Sequence, residues 1–143
     1  MTLKKLLSQG KLKPHKTSKE EIHNLTAVVK RDLKDAGIKA LSADRRFATT
    51  YNAVLQAATM VLYASGYKTQ GMGHHFTVFE AVKAILGDEY QGLFDYFDSC
   101  RSKRNRTDYD FTGSISDTEV EEIIKEAEKF EKLVVLWIKG RLK

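Results

Sequence analysis

Residues 42–66 read SADRRFATTYNAVLQAATMVLYASG. Ser42-Ala43-Asp44 has the form of a helix start, because a Ser side chain can accept from the free amides of a first turn. Apolar residues then recur at helical spacing, Phe47, Tyr51, Val54, Leu55, Ala58 and Leu62, before Ser65 and the stop at Gly66. The pattern predicts a helix of about two dozen residues, the longest internal element, apolar at most inward positions.

The flanks are also helical. Ser18-Lys19-Glu20-Glu21 has the form of a capping box, in which Ser and a Glu three residues on satisfy each other's amides. It opens a helix with Ile22, Leu25, Val28, Val29, Leu33 and Ala36 on one stripe, stopping at Gly37. Residues 1–17 ahead of it form a basic leader, in which Gly10 and Pro14 break any long helix. Residues 67–73 read as a loop, and His74 or His75 opens a shorter helix through Val78, Phe79, Val82 and Ile85, broken at Gly87. A further helix starts near Asp88 and carries Tyr90, Leu93, Phe94, Phe97 and Cys100. After a turn at Gly113, Ser116-Asp117-Thr118-Glu119 repeats the capping box. The last helix turns Val120, Ile123, Ile124, Ala127, Phe130, Leu133, Val134, Trp137 and Ile138 inward. Short connections between long amphipathic helices imply antiparallel neighbours. The expected fold is all-α: an up-and-down antiparallel four-helix bundle with an additional short helix, one domain over residues 18–143.

Composition narrows the function classes. The chain has 143 residues, 24 basic against 19 acidic, a net charge of +5 and a pI near 9.2. This excess allows an anionic partner such as RNA or a nucleotide without demanding one. A single cysteine, Cys100, excludes an internal disulfide framework and fits a reducing compartment. The longest pure apolar run is Leu133 to Ile138, too short to span a membrane, and the lysine-bearing N-terminus has too short an apolar stretch for a signal peptide. A cytoplasmic protein with no membrane partner is the expectation.

The chemistry-bearing stretch is Cys100-Arg101-Ser102-Lys103-Arg104-Asn105-Arg106-Thr107-Asp108-Tyr109-Asp110. It reads as the C-terminal end of a helix projecting guanidinium groups, whose fixed donors match phosphate oxygens two at a time. The competing reading is a solvated helix end, where cations complement the last carbonyls in any case. His74-His75 supplies imidazole chemistry. Either one caps its helix while the other packs, or one folds toward the Arg104 segment. Adjacent helical histidines point about a hundred degrees apart and have no carboxylate or Cys cluster beside them, so no metal is expected. Asn52 and Gln56 lie four apart, on a stripe with Arg45 and Thr59. They either face the basic segment and complete a nucleotide pocket, or form a partly solvated face or dimer seam. His15 and His23 read as surface residues, and Cys100 as a small buried thiol rather than a nucleophile.

With these motifs in place the chain resembles the HEPN domain family (higher eukaryotes and prokaryotes nucleotide-binding). The resemblance rests on Arg104-Asn105, on Tyr51-Asn52-Ala53 and on Gly73-His74-His75, and runs from about Ser18 to Trp137. The family signature is an Arg, often followed by Asn, with a His four to six residues further along; here Tyr109 stands at that spacing. The resemblance implies a homodimer whose site forms at the seam, and one of two activities. One is a metal-independent ribonuclease of the toxin or defence type, with Arg104 and Tyr109 as catalytic residues and no cofactor. The other is an RNA- or nucleotide-binding module, alone or paired with an antitoxin or a small nucleotidyltransferase. In toxins of that pair a Tyr lies two residues beyond the His and receives nucleotidyl groups; Phe111 holds that position here.

Tyr109 limits the enzymatic reading, since a phenol titrating near 10 is a poor general base at neutral pH. It can donate to a phosphate, stack on a base or close the helix end on the core. The expected binding set is therefore Arg101, Lys103, Arg104, Asn105, Arg106, Tyr109, Asn52, His74 and His75. The expected function is an RNA- or nucleotide-binding protein, with a ribonuclease toxin and a non-nucleic-acid interaction protein as the alternatives.

Overall fold

In the computed structural model the described residues are 2–71, 74–109 and 115–141, and the side chains of residues 106–109 lie outside the description. The elements run α1 (Leu3–Ser8), β1 (Leu12–Pro14), α2 (Lys19–Ala36), α3 (Ala43–Ala64), β2 (Tyr67–Thr69), α4 (His74–Leu86), a 3-10 turn (Asp88–Tyr90), α5 (Gln91–Tyr109) and α6 (Asp117–Arg141). The class is all-α, and α3 is its axis, packed against α2, α4, α5 and α6.

The sequence of α3 explains that position. Buried residues fall on nearly every side of it, among them Phe47, Tyr51, Val54, Ala57, Ala58, Val61 and Leu62. The alanines let neighbouring helices approach closely, while the larger side chains fill the gaps between them. Polar groups on α3 must then be satisfied inside. Buried Arg46 donates from Nε to the carbonyl of Ala36 at 2.8 Å, capping the end of α2, and its Nη2 reaches Glu121 of α6 at 3.4 Å. A cation there also complements the negative end of the α2 dipole.

The helix starts follow the local rules. Ser42 accepts from the amide of Arg45 at 3.2 Å. Ser116 and Glu119 form a reciprocal box, each side chain accepting from the other's amide at 3.1 Å. Ser18 accepts from the amide of Glu21, but the Glu21 carboxylate turns away to Thr17 and His15, both at 2.7 Å. His15 is consequently not a surface residue. It is half-buried, its ring centroid 4.5 Å from that of Tyr63, and it braces the entry to α2.

Two further differences from expectation lie at the N-terminal end. Residues 67–69, read as loop, form β2 and pair antiparallel with β1 in the register Leu12↔Thr69, Lys13↔Lys68, Pro14↔Tyr67. The turn from α3 into β2 needs a positive φ, and Gly66 supplies it at +94°. Residues expected as a leader thus contribute α1 and β1, and Leu6 (0 % exposed) and Leu12 (2 % exposed) enter the same core as the long helices. The helix expected to start near Asp88 begins as the 3-10 turn there and becomes α5 from Gln91. Phe94 and Phe97 of α5 meet Phe130 of α6 and Phe79 of α4, closing the core.

Replacing Leu6 with Ala should therefore cost about 2–5 kcal/mol, the range for a fully buried Leu. Urea unfolding measures it, and a loss below about 0.5 kcal/mol would show that α1 is not part of the cooperative core.

Candidate anion site at α3, α4 and α5

The site is built where α5 outlasts its apolar stripe. Phe97, Arg101 and Arg104 stand at i, i+4 and i+7, one face of a helix, so the row that buries Phe97 continues into two guanidiniums. Arg104 lies with its guanidinium carbon 5.7 Å from the centre of the Tyr51 ring, a cation–π arrangement. Arg101 donates from Nε to Asp98 one turn back at 3.0 Å. Both arginines are half-buried. They also lie well inside α5, which runs on to Tyr109, so they do not serve its last carbonyls.

Tyr51, which the sequence marks as an inward aromatic and as part of the Tyr51-Asn52-Ala53 segment, is the hub. It is 1 % exposed, and its hydroxyl meets Nδ1 of His75 at 3.3 Å. His75 and Phe79, four apart on α4, both lean on it, with ring centroids at 5.8 Å and 6.1 Å. Burial pushes the Tyr51 phenol well above its ordinary range, against the pull of Arg101 and Arg104 toward phenolate. The phenol is therefore neutral at physiological pH. His75 is pushed the other way: burial lowers it, and Arg104, Arg101 and His74 lower it further. A neutral imidazole beside two guanidiniums is the electrostatic state of the free site.

Of the residues expected in the site, the structure gathers Arg101, Arg104 and His75, with Asn105 half-buried on the adjoining flank of α5. His74 diverges, its Nδ1 3.0 Å from the hydroxyl of Thr69 in β2. Asn52 faces the other way. Its Nδ2 donates to buried Asp32 of α2 at 2.6 Å, and Arg31 holds the other oxygen of that carboxylate at 3.0 Å, so Asn52 joins α3 to α2 rather than to the basic segment. Lys103 pairs with Glu119 at 2.6 Å, tying α5 to the start of α6 and holding that carboxyl below its usual range. The side chains of Arg106 and Tyr109 lie outside the described residues. Cys100 is buried, hydrogen-bonded to Tyr96 and pushed up to about 11 by burial, so it stays a thiol. Among the described residues no His, Cys, Asp and Glu cluster is placed to hold a metal, and no helix is long and apolar enough to cross a membrane.

A family model for SAV_6107-like HEPN domains matches residues 37–135. The chain belongs to the HEPN family. No curated protein and no solved structure matches it. The matched stretch contains Tyr51, His75, Arg101 and Arg104, so the whole cluster lies within the HEPN domain, while α1, β1 and α2 precede the match. The family supports a nucleotide- or RNA-related role for the domain.

The lowered imidazole has a consequence for stability. An unfolded His titrates near 6.5 and folded His75 titrates lower, so below 6.5 the unfolded chain binds the extra proton. Stability from this group is complete above that pH and falls as pH drops through it. Glu21 and Glu119, both lowered from 4.5, act only at more acidic pH. Between about pH 7.5 and about pH 5.5 the wild type should lose more stability than His75→Gln in urea titrations. Equal losses in the two proteins would contradict the burial of a neutral His75.

Proposed function

We propose that this HEPN domain binds RNA or a nucleotide through α5, with Arg104 as the first phosphate contact and Arg101 and Asn105 beside it. Arg106 and Tyr109 extend the same helix and belong to the proposed surface, as a further cation and a stacking or hydrogen-bonding phenol. The observation that carries the reading is the pair of half-buried guanidiniums one turn apart on α5, packed on Tyr51 with a neutral imidazole alongside. Partial burial lowers the local dielectric, so each guanidinium attracts an incoming phosphate more strongly than a solvated one does. Asp98 offsets part of the positive charge of Arg101.

A second reading is a metal-independent ribonuclease, in which the ribose 2′-hydroxyl attacks the adjacent phosphorus. The placement of His75 favours it, since α4 brings an imidazole to the arginines although the position expected to hold His is Tyr109. Arg104 would stabilise charge on the phosphorane and His75 would move the proton. A homodimer with its site at the seam, and a toxin–antitoxin or defence setting with a nucleotidyltransferase or antitoxin partner, belong to the same proposal through the family resemblance. The non-nucleic-acid alternative has α5 docking an acidic protein partner instead.

Incubating the protein with labelled single-stranded RNA in EDTA separates these readings. Wild type should retain RNA in a salt-sensitive manner, and Arg104→Ala should weaken retention about tenfold or more, the scale of a hydrogen bond to a charged group. Cleavage lost in both Arg104→Ala and His75→Ala would establish the nuclease. RNA retention unaffected by Arg104→Ala would remove the proposed role of α5.

A further inference from the structure

The Tyr51 hydroxyl sits in the core, 1 % exposed, and among the described residues its hydrogen-bond partner is Nδ1 of His75 at 3.3 Å. A buried phenol that keeps its proton must donate it, because an unmade O–H bond costs the full desolvation of the group. Nδ1 of His75 carries a lone pair only when the ring's proton is on Nε2. The contact therefore selects one of the two neutral tautomers. The other tautomer would set Nδ1–H against the phenol oxygen and leave the phenolic proton with no acceptor among the described residues. A shared wall fixes the ring further: His75 and Phe79 both pack on Tyr51 from one face of α4. The guanidinium of Arg104 lies over the Tyr51 ring, and Arg101, paired with Asp98, is near enough to act on its phenol.

Building on the assignment of α5 as a phosphate contact, we propose that Tyr51 is a positioning residue that holds His75 as the Nε2–H tautomer. His75 then acts as a neutral N–H donor in one set with Arg101 and Arg104, and the ligand the set takes is a phosphoryl group. All three members donate and none accepts, which fits the oxygens of a phosphate ester and disfavours a cationic or donor-rich ligand. In this state His75 offers no lone pair at Nε2, so in the free protein it binds as a donor rather than as a general base.

The test uses the full chain labelled with nitrogen-15 at histidine, and a short 5′-phosphorylated single-stranded oligoribonucleotide as probe. The wild type should show a bare Nδ1 and a protonated Nε2 at His75, and the Nε2 resonance should move as the RNA is added. Tyr51→Phe keeps the ring and loses only the hydroxyl. It should give mixed tautomers and bind the RNA roughly 3- to 10-fold more weakly, one neutral hydrogen bond's worth. Because Tyr51 acts through His75, adding Tyr51→Phe to His75→Ala should weaken binding no further than His75→Ala alone. Additive losses in that cycle, or Nδ1–H in the wild type, would overturn the proposal, and the nitrogen pattern of the wild type decides even if a variant fails to fold. Unchanged affinity in Tyr51→Phe with a loss in Arg104→Ala would sink the tautomer role and leave the α5 reading standing. A wild type that binds no RNA would sink both.

Discussion

Placing α3 in the middle of the bundle is the constraint from which the other arrangements follow. A helix covered by α2, α4, α5 and α6 keeps only a partly solvated stripe, through Arg45, Gln56 and Thr59, for polar side chains. Each polar group buried elsewhere on it must find a partner or bear the cost of burial. Arg46 takes the last carbonyl of α2 and a carboxylate of α6. Thr50 returns its hydroxyl to the carbonyl of Arg46, Asn52 takes Asp32 of α2, and Tyr51 takes His75 of α4. The bonds of Arg46, Asn52 and Tyr51 to neighbouring helices add specificity to apolar packing that by itself tolerates sliding, because each is made in only one register.

The proposed anion site is a by-product of the same demand. Tyr51 needs a hydrogen-bond acceptor at the α4 end, and the acceptor it obtains is a titratable ring. On the α5 side the apolar row of Phe97 runs out where Tyr51 still has an exposed π-face, and Arg104 covers it with a cation whose stem is apolar. The result is an imidazole held neutral by burial first and by the neighbouring arginines second, whose repulsion a bound anion would relieve. Charge deficit and hydrogen-bond geometry thus point to the same ligand chemistry without a dedicated pocket-lining loop.

What could be read from the sequence divides along the range of the interactions. Ser42 and Ser116 were legible because a cap involves residues three apart, and the apolar stripes of α3 and α6 were legible because periodicity is local. The diversion of Glu21 was not, since the box pattern says nothing of His15 and Thr17 competing for the same carboxylate. The β1–β2 ladder escaped because its strands are three residues long, too short for an alternation to show, and lie more than fifty residues apart in the chain. Tyr51 is visible only through its ring and its place beside Asn52; the hydroxyl that meets His75 leaves no trace in a hydrophobic pattern. Asn52 was placed on the correct polar stripe, but which neighbour that stripe faced depended on the packing of α2. The HEPN resemblance directs attention to Arg104 and to His74-His75, while the packing on Tyr51 of α3 brings only His75 of that pair beside Arg104.

Glu119 illustrates how one side chain can serve two scales of structure. Within α6 it completes the box with Ser116, and across the molecule it receives Lys103 from α5. The second bond is a chord: it closes the chain between residues 103 and 119 at its base, independently of what lies between. Once a loop is anchored in that way its length matters little, since doubling it costs only about 0.6 kcal/mol in closure entropy. The connection between α5 and α6 can therefore lengthen or shorten at little cost to the domain. Arg101 just before the chord and Arg104 just inside it, both on α5, would keep their places while the sequence beyond them changes.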